Sequence, residues 1–303
     1  MSIEVEKLSK KYDDQWAVNE LSFTVPTGQV VGFLGPNGAG KSTTMKMLTC
    51  FITPTSGSAR INGFDIENQS MEIRNNIGYL PEHNPLYHEM YVKEYLSFVA
   101  DMCGVKKDKK MRVEKMVETT GLTREQNKKI SSLSKGYKQR VGMAQALMKD
   151  PKVLILDEPT SGLDPNQIVE IRKLIKTLGE DRTVLLSTHI MQEVEAMCSR
   201  VIIIDKGKLV ADDALSNLQH KHGDKKVVVV QFKNEVDLGQ LQRMDGVLKV
   251  QKINENTFEV TSKTEVALHE KLFNFAVKTN NVILEQKEKS QNLEHIFRSI
   301  TKN

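Results

Sequence analysis

Residues Gly35–Ser42 read GPNGAGKS, which fits the pattern G-x-x-x-x-G-K-S. Before it lies a short apolar run, Gln29–Leu34, with the look of a buried strand. After it, from about Gly40, comes a helical stretch closed by TPTSG at Thr53–Gly57. Strand, glycine-rich loop and helix start form the context that gives this pattern its meaning. Small residues let successive backbone N–H groups close around a phosphate chain, and the helix N-terminus adds about half a positive charge. Lys41 places an ammonium against the outer phosphates, and the Ser42 hydroxyl is an oxygen ligand for Mg²⁺. Gly35, Pro36, Asn37, Gly38, Ala39, Gly40, Lys41, Ser42 and Thr43 are therefore expected to bind the phosphates of a nucleotide.

Such a loop needs a second metal ligand, an acid at the end of a neighbouring buried strand. KVLILDEP (Lys152–Pro159) supplies Asp157 as a metal ligand, direct or through water, with Glu158 next to it. Adjacent strand residues point to opposite faces. A strand's last residue and its successor can nevertheless both reach a site at the carboxyl edge, where Glu158 would orient and deprotonate a water. No N-K-x-D follows, so a guanine-reading element is missing.

The rest of the first two thirds supports an α/β fold with a largely parallel sheet. SARINGFDI reads as an edge strand turning at Asn62-Gly63, and Lys93–Lys149 is mostly helical, with KKDKK (Lys106–Lys110) as a solvated break. NQIVEIRKLIKTL has helical spacing and ends near Gly179; TVLLSTHI and RVIIIDKGKLV read as strands, the latter turning at Lys206-Gly207. Composition shifts at NLQHKHGDKK, so one domain is expected over residues 1–220 and another over 221–303. The second reads as strand 226–232, short helix, strands 247–253 and 257–261, helix 265–277, strand 282–288 and a last helix 293–300. That is a βαββαβ-like α+β order with an extra helix.

Composition narrows the function class. The 303 residues are 39% apolar and 27% charged, ordinary for a globular chain, with a net charge of only +4 that demands no nucleic acid. Three widely spaced cysteines fit neither a disulfide framework nor a zinc site and favour a reducing compartment. The N-terminus has no apolar leader, and the longest apolar runs are strand-sized, far short of the ~20 residues of a spanning helix. Any membrane role is expected to come through a partner.

Four motifs in order, GPNGAGKST, LSKGYKQR, LILDEPTSGLD and STH, resemble the ATP-binding subunit of an ABC transporter over about Ile3–Leu215. The resemblance implies a P-loop ABC-type ATPase domain with a helical subdomain that binds and hydrolyses ATP with Mg²⁺. The LSGGQ signature appears here as LSKGY: Leu133, Ser134 and Gly136 match, while Lys135 and Tyr137 depart from it. In the family the signature faces the ATP of a second subunit, so Ser134 and Gly136 are implied to bind nucleotide across a dimer, Ser134 by capping its helix and leaving N–H groups free. Tyr12 stands at the adenine-stacking position, a contact worth about 1–3 kcal/mol; Trp16 is nearby, and either ring could simply cover a sheet edge. His189 matches the switch histidine and Asp164 the loop linking the two sites. Where the family has Gln after GY-hydrophobic-P, this chain has Glu82, either an oxygen ligand for Mg²⁺ or a solvated turn acid. The implied partners are membrane-spanning permease subunits and a second ATP-binding subunit, a homodimer or a similar chain, with no nucleic acid, at the cytoplasmic face of the cell membrane. In its wording the chain looks most like the subunit associated with gliding motility; drug-type exporters carry close relatives.

Overall fold

The computed structural model describes residues 1–221, 225–263 and 266–289, together with Phe297. The chain divides into two compact units, Met1–Leu215 and the part from Ser216 onward, each described by itself.

In the first unit the elements run β1 (Ile3–Tyr12), β2 (Gln15–Val25), β3 (Val30–Leu34), α1 (Lys41–Leu48), β4 (Ser56–Ile61), β5 (Phe64–Asp65), α2 (Ser70–Asn76) and β6 (Ile77–Leu80). Then come α3 (Val92–Met102), α4 (Lys109–Thr119), a 3-10 turn at Ile130–Ser132, α5 (Lys135–Ala146), β7 (Val153–Asp157), α6 (Pro165–Gly179), β8 (Thr183–Thr188), α7 (Met191–Met197), β9 (Arg200–Asp205) and β10 (Lys208–Ala214).

Six strands form the central sheet in the order β10-β9-β3-β8-β7-β6. The pairs β9–β3, β3–β8, β8–β7 and β7–β6 are parallel, and only β10 is antiparallel. Strands β7 and β8 are buried along their whole length, as apolar runs covered on both faces should be. One face packs Val31, Phe33, Val153, Ile155, Leu185 and Ile202 into a core shared with Met45, Met47 and Leu48 of α1 and with β1, β2 and β4. Helices α5, α6 and α7 lie along the central sheet at β6, β8 and β3.

A second, antiparallel sheet, β2-β1-β4-β5, was not foreseen. Its alternation is broken by Lys7 and Glu20, non-glycine residues at φ 46° and 51°, and the β1–β2 register shifts between Val5 and Leu8. Bulges of this kind hide a strand from a period-two reading. SARINGFDI is also corrected: β4 lies between β1 and β5, and the two-residue β5 is the edge. The solvated break falls at Cys103–Asp108, because Lys109 and Lys110 already belong to α4.

From Leu215 the chain runs through α8 (Leu215–Lys221), β11 (Lys225–Phe232), α9 (Leu238–Gln242), β12 (Val247–Asn254), β13 (Thr257–Lys263), α10 (Leu268–Lys278) and β14 (Ile283–Lys289). The strands form one antiparallel sheet, β12-β13-β11-β14. Alternate residues Val228, Val230, Phe232, Phe258 and Val260 pack with Leu268 and Leu272 of α10. The last helix expected, 293–300, lies outside the described residues apart from Phe297.

Candidate active site

Parallel strands put their carboxyl ends on one edge, and that edge gathers the site. The phosphate loop follows β3, Glu82 follows β6, Asp157 ends β7 and His189 follows β8. The phosphate loop, Glu82 and His189 border an open cleft of about 740 Å³ lined by Lys41, Ser42, Glu82, Glu158 and His189, with Tyr12 and Trp16 also in its wall. Both rings are exposed, at 47% and 43%. Lys10 lies 5.4 Å from the Tyr12 ring centroid and Lys11 5.8 Å from that of Trp16.

Gly40 precedes α1 with φ 102°, and a Cβ there would lie 2.4 Å from the Ala17 carbonyl oxygen. At Gly35 a Cβ would come within 2.5 Å of the Ile204 carbonyl oxygen. Both positions need a residue without a side chain because backbone passes directly over them. Between them the Ala39 N–H donates to the Pro36 carbonyl at 3.1 Å, and no side chain caps α1. Its first N–H groups are left to a ligand.

Lys41 is buried. Its Nζ donates to the Gly35 carbonyl at 2.7 Å and the Pro36 carbonyl at 3.2 Å, and lies 3.4 Å from Glu158 Oε1. The other oxygen of that carboxylate, Oε2, is 2.9 Å from His189 Nδ1. Glu158 lines the cleft, and the buried Asp157 stands behind it against Ser42, because the backbone turns between the two acids: Glu158 has φ 49°. That left-handed conformation costs about 1–2 kcal/mol for an L-residue. It is held by the Glu158 N–H, which meets the Ser187 hydroxyl at 3.0 Å and the Ser187 carbonyl at 3.2 Å.

Ser42 Oγ donates to Asp157 Oδ1 at 3.1 Å, and Ser187 Oγ donates to the same oxygen at 2.5 Å. Ser187 sits on β8, the strand between β3 and β7. Sequence reasoning assigned it no role; only its place in the STH triplet hinted at one. Burial first, then the charges of Asp157 and Glu82, push the Tyr79 hydroxyl well above its usual range. Glu82 thus shares its surroundings with Asp157. Among the described residues no cluster of three or more His, Cys, Asp or Glu side chains is arranged to hold a metal. The Ser42–Asp157 pair of hard oxygens suits a small divalent cation whose remaining ligands come from phosphate and water.

The signature residues do not line this cleft. Ser134 is the N-cap of α5, its Oγ accepting from the Tyr137 N–H and from Gln167 Nε2, both at 3.4 Å. Gly136 is pressed by Gln167, 2.6 Å from where a Cβ would be. Asp164 caps α6 by accepting from the Gln167 N–H at 3.0 Å. Lys135, a departure from LSGGQ, places its Nζ 2.2 Å from where a Cβ at Gly162 would stand. The signature and the SGLD loop of one chain are therefore neighbours.

Residues 18–161 match the family model described as "ABC transporter". Over 259 residues the chain is 36% identical to the bacitracin transport ATP-binding protein BcrA of Bacillus licheniformis, covering 82% of this chain and 84% of that one. The chain belongs to the ABC transporter ATP-binding proteins. It is an ATPase of that family, the ATP-binding subunit of an ABC transporter. The linearmycin resistance ATP-binding protein LnrL of Bacillus subtilis (strain 168) is 31% identical over 305 residues, 99% of this chain and 98% of its own. Among solved structures, an ATP-binding subunit of an ABC transporter superposes with a TM-score of 0.66 at 31% identity, covering 74% of this chain and 94% of that one. A bacterial ABC transporter cassette solved as a dimer superposes with a TM-score of 0.65 at 25% identity, covering 70% and 98%. Among the described residues no helix is long and apolar enough to cross a membrane.

Proposed function

We infer that the chain hydrolyses Mg·ATP in the cleft after β3, with the site completed by the signature of a second copy, and that this cycle drives a membrane-spanning exporter from the cytoplasmic face. The observation that carries the reading is the Glu158 carboxylate, held between Lys41 Nζ and His189 Nδ1 beside the Ser42–Asp157 pair.

The phosphate-loop N–H groups and Lys41 bind the phosphate chain. Tyr12 stacks on the base. Ser42 and Asp157, with Glu82 beside them, hold Mg²⁺, which when bound neutralises charge on the phosphates. Lys41, drawn to the phosphates, releases Glu158 Oε1 to take a proton from the attacking water. His189 keeps Oε2 and faces the terminal phosphate. Ser134 and Gly136, outside their own chain's cleft, present the start of α5 to the ATP of the partner copy. Asp164 belongs to the loop that carries the state of one site to the other.

Exposed Tyr87, Phe98 and Met102 line one groove, and exposed Phe51 lines a neighbouring one that shares Arg74, Ile77 and Tyr79 with it, with Tyr87 packed against Tyr95 and Phe98 at 5.9 and 5.6 Å between centroids. This surface is where a permease subunit docks. BcrA and LnrL are named for bacitracin transport and linearmycin resistance, and the LnrL match runs through the second unit. Export of an antibiotic-like compound is therefore favoured over the gliding-motility role suggested by sub-family wording.

Glu158→Gln tests the site. It should keep ATP affinity, lower turnover by about 10²–10⁴-fold, and accumulate an ATP-dependent dimer in size-exclusion light scattering. Normal turnover in that variant would refute the base assignment. A gene disruption scored for antibiotic sensitivity and for gliding separates the two physiological readings.

A further inference from the structure

Glu193 of α7 is fully buried, at 0% exposure. Oε2 accepts from the Thr188 hydroxyl at 2.7 Å, and Oε1 accepts a short hydrogen bond from the Thr160 hydroxyl. Both threonines are buried as well. Among the described residues no Lys, Arg or His pairs with this carboxylate. A buried carboxyl group met by hydroxyl groups costs more to desolvate than an apolar side chain of the same size. Packing alone does not call for it.

The two threonines occupy positions of consequence. Thr160 lies two residues after Glu158 and roots the SGLD loop, its carbonyl accepting from the Leu163 N–H at 3.2 Å. Thr188 is the last residue of β8, directly before His189, and its hydroxyl also accepts from the Ile190 N–H at 3.1 Å. One carboxylate thus ties the loop leading to Asp164 to the loop carrying His189. His189 in turn touches Glu158.

We propose that Glu193 is a positioning residue that makes the SGLD loop and the His189 loop move as one body. A partner copy pressing on Ser161–Asp164 then sets His189, and through it Glu158, in this chain's own site. The carboxylate suits this role because its two oxygens accept from both hydroxyls at once. An amide offers one acceptor, and the shorter Asp side chain cannot span the two threonines. The proposal rests on the reading of Glu158 and His189 as catalytic groups.

The test uses the full chain. Glu193→Gln is expected to retain its melting temperature within a few degrees and its ATP affinity within about twofold, while kcat falls about 10²-fold, the scale of a slight misplacement. The rise of specific activity with protein concentration, which reports dimer-driven activation, should flatten. Thr160→Val and Thr188→Val should each lower kcat, with a double variant little worse than either single one, because the two act through the same carboxylate. Thr188→Ser, which keeps the hydroxyl, should recover most of the rate that Thr188→Val loses. Wild-type kcat in Glu193→Gln, or additive threonine effects, overturns the proposal. So does a loss of activity no greater than the loss of folded protein. Should Glu193→Gln fail to fold, the threonine variants carry the test. Glu158→Gln assayed alongside separates the two levels: normal turnover there sinks the underlying reading, whereas an inactive Glu158→Gln beside a fully active Glu193→Gln sinks only the coupling.

Discussion

Lys41 is held by two carbonyls and one carboxylate of its own chain, so its ammonium is desolvated before any phosphate arrives. Hydrogen bonds to charged groups contribute about 1.5–3 kcal/mol. Lys41→Ala should therefore weaken ATP binding by roughly 10–100-fold, measured by titration with a fluorescent nucleotide; unchanged affinity would overturn the phosphate-loop reading. A second residue-scale case lies away from the cleft. The hydrogen bond from Arg182, at 2.7 Å from Asp150 Oδ1, holds that carboxyl below its usual range, and Arg112 adds to the effect. Asp150 binds its proton more weakly folded than unfolded, so its stabilisation is present above the ordinary carboxylate pKa. It is lost as pH falls through the lowered folded value. Asp150 itself is exposed, so Asp150→Asn should cost no more than about 1 kcal/mol at pH 7. Thermal melts should show the two proteins converging as pH falls, and a gap that does not narrow at all in acid would contradict this origin.

At the scale of elements, α5 begins on Ser134 and runs from the signature into the helical layer. Loss of an N-cap hydroxyl costs about 1 kcal/mol. Ser134→Ala should lower the melting temperature slightly, and its larger effect should fall on the ATP-dependent dimer rather than on nucleotide binding by the single chain. Equal losses in both would place Ser134 in its own chain's site, against the cleft geometry. The departures at Lys135 and Tyr137 are tested the same way. Lys135 stands over Gly162, so Lys135→Gly should loosen the SGLD loop and change turnover, whereas Tyr137→Gln, on the side where Arg140 approaches the ring at 5.9 Å, reports on the helical layer. No change in dimerisation or rate in either variant would mean that both residues only fill space.

For the whole molecule, the first unit holds the complete cleft and its own core, while the second has a separate core around Phe232 and Phe258. Removal of residues 222–303 should leave nucleotide binding intact. We expect it to impair dimerisation or permease-coupled ATPase activity, read by light scattering and by turnover in vesicles containing the permease. Unchanged values in both would remove any regulatory role for that unit.

The sequence by itself determined the phosphate loop, the acid pair, the ordered motifs and the parallel sheet, because each is written in contiguous residues: Gly and Lys at fixed offsets, or apolar runs of strand length. Local chemistry fixes local conformation there. Tertiary structure decided what depends on residues far apart. The antiparallel sheet was hidden by bulges at Lys7 and Glu20, which break the alternation that marks a strand. Ser187 reaches Asp157 only because β8 lies between β3 and β7. Thr160, Thr188 and Glu193 meet only after β7, β8 and α7 have packed, and no spacing announces a buried carboxylate shared by two hydroxyls. Burial is a property of the finished packing, so the groups whose chemistry depends on it come into view only in the fold.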